Sequence, residues 1–454
     1  MAGSRLLLPP RMHLMVKAVL TGVACITLLA ATACQNTPRK AASNSADSNG
    51  PAQRSIVVST AADLVHALTS AAAGTTVLLQ SGEYEISRTL IIPDGVTLLG
   101  SGAMRLDAHD RLPIGFEPES RTVLRSTAGF QGDVLVLRNR SVVRGLTIED
   151  VAGRSEGNVV VARARGDGEA VSTTLEDCEV INPKHPDSNT EGPSGSAVVA
   201  ITPSPTASDG VGVGSSVELR MSHCIVRSPF GSGVFATNFG SRSRIIVVLT
   251  NNVIVGGLSV SGAASRSLPV SGASATVESR GNLFRADSAT PPNVAGWFVT
   301  AAATPHRGIT PSSTSKNSLH MRSTGDQIVG FHVAIVASGA SRLMPEAGIL
   351  SENEVTLELR QTEITSLGAD LVLSGARSRS AGALRDVGNV LRVDAAGLTG
   401  SGARKNSFLV TDGPPGTTWP SGNRLEFTGT AVTFARANPR IIPSPTQKVF
   451  HVER

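Results

Sequence analysis

The sequence predicts an all-β chain whose short strands stack coil upon coil as a solenoid. Five segments share one pattern, a central residue with a mostly apolar residue three positions before it and an apolar residue two positions after it. The central residues are Leu146, Cys178, Cys224, Asn252 and Asn282. They advance by 32, 46, 28 and 30 residues, a period at which sequence repeats indicate stacked structural units. The apolar alternation has no helical period, so the units are strands.

The composition suits narrow coils around one large interior. The 454 residues are 40% hydrophobic and only 3% aromatic, with 46 glycines. Such a chain is long enough to bury a sizeable core. Its β-branched runs exclude a disordered chain outside the termini.

The net charge of +5 does not indicate a nucleic-acid-binding protein. The arginines are scattered, and the few lysines do not cluster with aromatic residues, as grooves for single strands require. We therefore expect no nucleic-acid partner. Outward residues of a solenoid form rows, so a basic wall would suit an acidic polysaccharide or lipid headgroups.

The amino terminus has the pattern of an export signal. Arg11 and Lys17 precede an apolar run from Ala18 to Ala33, which is short for a membrane-spanning helix and typical of a signal peptide. The run ends at Cys34.

The segment Ala31-Thr32-Ala33-Cys34 resembles the lipobox of bacterial lipoproteins, with Ala31 where leucine is usual. The resemblance implies a lipoprotein signal peptide at 1–33 and acylation of Cys34. With Gln35 next, it implies a lipid-anchored protein of the bacterial cell envelope, at the outer membrane. Plain secretion is the alternative. Residues 34–54 are polar and predict a flexible tether.

A motif in residues 56–102 bears on the type of solenoid. Gly82-x-Tyr84 is followed by the run IPDGVTLLG from Ile92 to Gly100. This segment resembles the amino-terminal part of the pectate-lyase-like superfamily, and the resemblance implies a right-handed parallel β-helix. The stretch from Thr60 to Leu68 predicts an N-terminal capping helix with Thr60 as its N-cap, covering the open end of the solenoid.

The β-helix domain is predicted to span residues 55–438. A stretch at about 288–316, rich in proline, alanine, threonine and serine, predicts an irregular interval within it. The proline-rich residues 439–454 predict an irregular tail. We expect a monomer.

Two cysteines of the mature chain, Cys178 and Cys224, hold the same position in successive coils. Two interpretations stay open. They are small buried thiols stacked in the interior, or they form a disulfide, because neighbouring strands bring Cα atoms within bridging range and the envelope is oxidising. The resemblance also implies that Asn252 and Asn282 stack inward, each amide bonding the next.

The longest advance, from Cys178 to Cys224, places extra residues in two loops at about 182–195 and 203–215. Long loops on a rigid scaffold are where function often lies. The first loop carries Lys184, His185 and Asp187.

β-Helix proteins of this kind include lyases and epimerases of uronate polysaccharides, so the resemblance implies that chemistry. Abstraction of the C5 proton needs a base, together with positive charge or Ca²⁺ to neutralise the sugar carboxylate. The candidate catalytic residues are Lys184, His185, His223 and Arg227.

Asp177, His223 and Asn251 each precede the central residue of their coil, which predicts one outward row. The candidate ligand-binding residues are Asp177, Asp187 and Asn251. The other interpretation is a solvated wall of mixed polar residues beside an ordinary turn. Asp177 and Glu179 alone are too few carboxylates to support a Ca²⁺ site, so no metal site and no cofactor is identified.

A second match lies early in the chain. Residues Leu106-Asp107-Ala108-His109-Asp110 faintly resemble the Asp-Pro-His-Asp motif of mannuronan epimerases, with Ala108 where proline is usual.

Two functions stay open. One is an envelope lipoprotein that binds or processes a carbohydrate as a lyase or epimerase of an acidic polysaccharide. The other is a non-catalytic surface lipoprotein whose wall binds glycan or protein. The scarcity of aromatic residues favours the second, and the superfamily resemblance favours the first.

Overall fold

The chain coils into a stack of parallel strands. Most strands pair with the equivalent strands of the neighbouring coils. The computed structural model describes residues 54–151, 157–183, 196–203, 212–264, 269–303, 313–342, 348–378, 382–383, 386–402, 408–410, 417–418, 422–434, 440–441 and 447–453. This pairing is that of a parallel β-helix, so the predicted fold class is confirmed. Connections between parallel strands of one sheet are right-handed in nearly every protein.

One wall of the stack is a 13-stranded sheet, which we call the long sheet. From Ala170–Glu176 onward its strands pair residue by residue, without a register shift. In spatial order its strands are Ser55–Val58, Thr76–Leu79, Thr97–Leu99, Ser141–Arg144, Ala170–Glu176, Ser216–Ser222, Arg244–Thr250, Ser274–Arg280, Ser318–Thr324, Glu354–Arg360, Val390–Ala396, Arg424–Thr430 and Gln447–Glu453.

The other walls belong to a 20-stranded sheet, which we call the folded sheet. It is continuous because Ile225–Thr237 and Val253–Ala264 each run from one wall into the next. In chain order its strands are Gly82–Ile86, Leu90–Ile92, Thr122–Ser126, Leu135–Leu137, Thr147–Glu149, Val160–Arg163, Glu179–Ile181, Val198–Ile201, Ile225–Thr237, Val253–Ala264, Leu283–Arg285, Ala295–Ala303, Gln327–Val329, Val333–Arg342, Glu363–Thr365, Ala369–Ser378, Thr399–Gly400, Phe408–Val410, Thr433–Phe434 and Arg440–Ile441.

Short elements complete the described part of the chain. Two small parallel sheets consist of Val270–Ser271 with Thr314–Ser315 and Leu350–Ser351, and of Gly382–Ala383 with Thr417–Thr418. Met104–Leu106 and Pro113–Phe116 form an antiparallel hairpin, and Pro118–Ser120 is a 3₁₀ turn.

The core is the shared interior of the coils. Inward side chains stack in register from coil to coil, as Leu219 does on Val247 and Val247 on Val277. All three are fully buried, and burial of such a side chain stabilises the fold by about 1.5–3 kcal/mol. The strands therefore alternate inward apolar residues with outward polar ones, the pattern seen in the sequence.

A helix, Ala61–Ser70, begins where the sequence predicts it. Its N-cap Thr60 accepts a hydrogen bond at 3.1 Å from the amide of Asp63. Its buried residues Leu64, Ala67 and Leu68 belong to the main core. The helix contacts the first strands of the stack; that it seals the open end stays a prediction.

Two stretches that we expected to be irregular contain strands. Within 288–316, Ala295–Ala303 pairs in parallel with Val253–Ala264 and Val333–Arg342. Its sequence, AGWFVTAAA, is small-residue-rich, so the β-branched signal is weak. Within 439–454, Gln447–Glu453 extends the long sheet beyond Arg424–Thr430. The prolines that precede this last strand obscured it in the sequence.

Residues 1–53, which hold the predicted signal peptide, Cys34 and nearly all of the tether, lie outside the described residues. Among the described residues, no helix has the length and apolarity needed to cross a membrane.

Candidate functional site

One corner of the stack, where the strands of the long sheet end, places Asp177, His223 and Asn251 in successive coils. We call these three residues the corner row. All three have left-handed backbone, with φ of 51°, 51° and 53°. Each amide donates to a carbonyl of the following coil, at 3.1, 3.2 and 2.9 Å. The equivalent turn holds glycine in the coil before the row, at Gly145, and in the coil after it, at Gly281.

The residue types of the corner row have a conformational cause. Among residues other than glycine, Asn, Asp and His are several-fold enriched in left-handed backbone. The left-handed turn therefore suits Asp177, His223 and Asn251, although equivalent turns later in the stack hold Gln361 and Ala431.

Asp177 lies between two basic groups from neighbouring coils. Its Oδ2 accepts a hydrogen bond at 3.2 Å from Nε of Arg144. Its Oδ1 stands 3.8 Å from Nδ1 of His223, an ion pair when the imidazole is protonated. The side chains of Asp177 and His223 are 20% and 28% exposed. A guanidinium, a carboxylate and an imidazole thus follow one another along the corner.

Asn251 ends the row against a glycine. A Cβ atom at Gly281 would stand 2.6 Å from Oδ1 of Asn251, so only glycine leaves this amide in place.

Arg227 is engaged away from the corner row. It lies in Ile225–Thr237 of the folded sheet, and its Nε donates to Oε1 of Glu179 at 3.3 Å. Glu179, whose side chain is 12% exposed, also pairs with Nη2 of Arg121 at 3.2 Å. The chain turns the corner between His223 and Arg227, so Arg227 lies on a different wall and pairs there with Glu179.

Lys184, His185 and Asp187 lie outside the described residues. The ends of their loop are tied together by Asn182, whose amide donates to the carbonyl of Arg227 at 2.7 Å. Its side-chain Nδ2 donates to the carbonyl of Ser196 at 3.1 Å. Asn182 and Ser196, described residues on either side of these positions, therefore lie next to each other.

Directly after the corner row, the inward positions form a hydrogen-bonded ladder. Nδ2 of Asn252 donates to Oδ1 of Asn282 at 2.8 Å, which confirms the stacked asparagines. The ladder continues, unpredicted, when Nδ2 of Asn282 donates to Oδ1 of Asp326 at 3.0 Å. Burial raises the pKa of Asp326, while hydrogen bonds from Ser323 and Asn282 oppose the shift.

Cys178 and Cys224 occupy the same ladder in the preceding coils, as predicted. The amide of Ile225, next to Cys224, donates to the carbonyl of Cys178 at 2.8 Å. Both cysteines are free and fully buried, which is the first of the two interpretations that the sequence left open. Burial raises the pKa of Cys224 well above its ordinary value, and Cys178 adds to the shift.

A second ladder, which sequence reasoning missed, flanks the opposite end of the long-sheet strands. It consists of Asn317, Asn353, Asn389 and Asn423. Each Nδ2 donates to Oδ1 of the next asparagine, at 2.9, 2.9 and 3.0 Å. The signal that could have found it is an asparagine directly before each alternating strand, at spacings of 36, 36 and 34 residues.

The faint epimerase-like motif at 106–110 forms the tip of the antiparallel hairpin. Oδ1 of Asp107 accepts hydrogen bonds from the amides of His109 and Asp110 at 2.8 and 3.3 Å. The bond from His109 contributes most to lowering the pKa of Asp107. This carboxylate closes its own turn.

Metal ligands do not cluster in the part of the chain that the structure describes. No group of three or more His, Cys, Asp or Glu side chains there could hold an ion.

No protein-family model and no curated protein sequence matches the chain. Among solved structures, it is similar to the A-module of the mannuronan C-5 epimerase AlgE6 of Azotobacter vinelandii, at 12% identity and a TM-score of 0.37, over 86% of this chain and 93% of that one. The Dettilon tailspike protein matches at 14% identity and 0.34, over 83% of this chain and 64% of that one. The PL6 family alginate lyase AlyGC matches at 11% and 0.21, over 87% and 89%.

Proposed function

We propose that the protein binds and processes an acidic polysaccharide at the corner row. The observation that supports this is the succession of Arg144, Asp177 and His223 in consecutive coils, on the surface of one corner. A polymer lying along the stack would meet a cation and an imidazole at neighbouring positions.

In this proposal the guanidinium of Arg144 pairs with a uronate carboxylate, which a planar guanidinium can bind through two hydrogen bonds. His223 removes the proton at C5, since an imidazole exchanges protons near neutral pH. Asp177 positions the imidazole from its Nδ1 side. In a lyase the C4=C5 double bond then forms, the bond from C4 to the glycosidic oxygen breaks, and that oxygen takes a proton from water; in an epimerase a proton from water adds to C5 on the face opposite His223.

A second candidate function is binding without catalysis. The 3.8 Å between Asp177 and His223 is longer than a hydrogen bond, so the imidazole is not fixed as a positioned base would be. Tyr84 and Trp297 are buried, so neither offers the aromatic platform common in sugar-processing sites.

Both candidates are tested with the purified full chain and a panel of uronate polymers in D₂O. Deuterium appearing at C5 reports the epimerase, and ultraviolet absorbance of unsaturated ends reports the lyase, whose product has no hydrogen at C5. We expect His223→Ala to reduce the rate of whichever reaction is seen by about 100-fold, the contribution of a general base. The matched control is His320→Ala, an exposed imidazole of the long sheet that pairs with Glu358.

Polymer retention without deuterium at C5 and without unsaturated ends would favour the binding function. If no uronate polymer is retained or altered, both candidates are refuted.

We also propose that the chain is anchored in the bacterial cell envelope, at the outer membrane, through an acylated Cys34. The sequence before Cys34 supports this. Mass spectrometry of the mature protein should find a lipid on Cys34, and Cys34→Ser should release the protein from the membrane fraction. An unmodified, soluble mature chain beginning elsewhere would overturn the anchor.

A further inference from the structure

A cavity of about 550 Å³ lies between the helix Ala61–Ser70 and the first coils, away from the corner row. Leu68 of the helix and Pro93, after the strand Leu90–Ile92, line its apolar part. Arg88, Arg138 and Arg165 line its polar part, with Asp94 as the lining carboxylate. Three arginines and one aspartate thus line a space in the range of small-molecule sites.

The side chain of Arg138 is buried in this cavity wall, and two of its three guanidinium nitrogens have no hydrogen-bond partner among the described residues. The residue is 8% exposed, and Nε and Nη1 are both shielded from solvent and unpaired in the described residues. Its backbone is fixed, because its amide donates to the carbonyl of Ile92 at 3.2 Å and its carbonyl accepts from Oγ of Ser141 at 2.7 Å. Because these two bonds hold the backbone of Arg138, its guanidinium stays at the cavity.

Buried polar groups in folded proteins are almost always hydrogen-bonded, and buried charges are paired. Arg138 has no such partner among the described residues, although two arginines and two carboxylates lie near it. Burial lowers the pKa of Arg138 to about 10, and Arg165 and Arg163 lower it while Glu169 and Asp94 act in the opposite direction. A positively charged group therefore lacks a neutralising partner at this place.

We propose that the cavity binds an oxyanion, a carboxylate or phosphate group on a molecule about the size of a monosaccharide, with the guanidinium of Arg138 as its buried anchor. Arg88 and Arg165 close on the anion from the solvent side, and Leu68 and Pro93 pack against the rest of the molecule. The site is separate from the corner row and does not rest on the proposed polysaccharide chemistry.

The test is calorimetric titration of the full chain with inorganic phosphate, glucose 1-phosphate and glucuronate, in sodium chloride at constant ionic strength. Binding of glucuronate alone identifies a carboxylate ligand, and binding of the phosphates alone identifies a phosphoryl ligand; either supports the proposal. No saturable binding of any of the three would overturn it.

The decisive variant is Arg138→Met, which keeps the aliphatic stem and removes the charge. We expect affinity for the bound anion to fall by about 10- to 100-fold, as for loss of hydrogen bonds to a charged group. We also expect the unliganded variant to melt no lower than the wild type, since an unpaired buried charge has been removed. The control is Arg285→Met, an exposed arginine of the folded sheet, with unchanged affinity.

Arg165→Met provides a second test, because this exposed residue can be replaced without disturbing the core. It should weaken binding several-fold. Wild-type affinity in both cavity variants would overturn the site. If Arg138→Met does not fold, unchanged affinity in Arg165→Met alone would do so.

Discussion

Asn282 and Asp326 join through two hydrogen bonds, since Oδ1 of Asp326 accepts from the backbone amide of Asn282 at 2.8 Å and from its Nδ2 at 3.0 Å. The other carboxylate oxygen accepts from Oγ of Ser323 at 2.6 Å. An asparagine ladder therefore runs into a fully buried ionisable group.

The first prediction concerns the pH dependence of stability at Asp326. Its pKa in the fold is raised by burial. Its contribution to stability is therefore fully present below the pKa of the unfolded chain and is lost as the pH rises through the higher folded value. Asp326→Asn keeps the Oδ1 acceptor, so we expect it to raise the free energy of unfolding at neutral pH by about 1 kcal/mol.

Denaturant titrations between neutral and acidic pH measure this effect. The difference between Asp326→Asn and wild type should shrink as the pH falls. An advantage that stays constant with pH would contradict it.

The second prediction concerns the other ladder. Oδ1 of Asn353 accepts from the amide and Nδ2 of Asn317 at 3.2 and 2.9 Å. Asn353→Ala leaves these two buried donors without an acceptor, so we expect a loss of about 2–4 kcal/mol in the free energy of unfolding. Thr356→Ala, on the outward face of the same strand, should change it by less than about 0.5 kcal/mol. Similar melting temperatures for the two variants would argue against a stabilising ladder.

The third prediction separates backbone strain from side-chain displacement in the corner. Gly281 and Gly325 have φ of 61° and 65° in equivalent turns. A Cβ at Gly325 meets nothing within 4 Å, whereas one at Gly281 meets Asn251. The left-handed backbone should cost each alanine variant about 1–2 kcal/mol in the free energy of unfolding. Gly281→Ala should lose more than Gly325→Ala, because its Cβ also displaces Asn251. Equal losses by chemical denaturation would show that Asn251 moves aside freely.

The fourth prediction concerns a buried ion pair. Nε of Arg342 donates to Oδ2 of Asp386 at 2.8 Å, and the amide of Leu350 donates to Oδ1 of Asp386 at 2.8 Å. Arg342→Met leaves a buried carboxylate uncompensated, so we expect a loss of about 3–5 kcal/mol. Adding Asp386→Asn should restore part of it, because the neutral amide keeps an acceptor for Leu350. A double variant as unstable as the sum of the singles would contradict the coupling.

The sequence predicted the coil period because it depends on local spacing. Asn252, Asn282 and the two cysteines share one position of the repeated pattern, and the superfamily resemblance implied that the asparagines point inward. The second asparagine ladder was not predicted, because the repeated pattern was sought at one corner of the coil only. Its asparagines follow residues as different as Lys316 and Gly388, whose left-handed backbone is visible only in the structure.

The candidate site was harder to predict because its members meet across coils of unequal length. Spacing placed Asp177 and His223 at one corner, but it could not show that Arg227 would be engaged by Glu179. Nor could it show that Arg138, one arginine among many, lies beneath a helix from much earlier in the chain. Such burial is a property of tertiary packing.

The strand Gln447–Glu453 pairs on one side only, with Arg424–Thr430, among the described strands. Its other edge pairs with no described strand, so fraying can begin there, and each strand that peels away exposes the edge of the next. Backbone amides should therefore exchange with deuterium in a gradient, fastest near the carboxyl terminus and slowest in the middle coils.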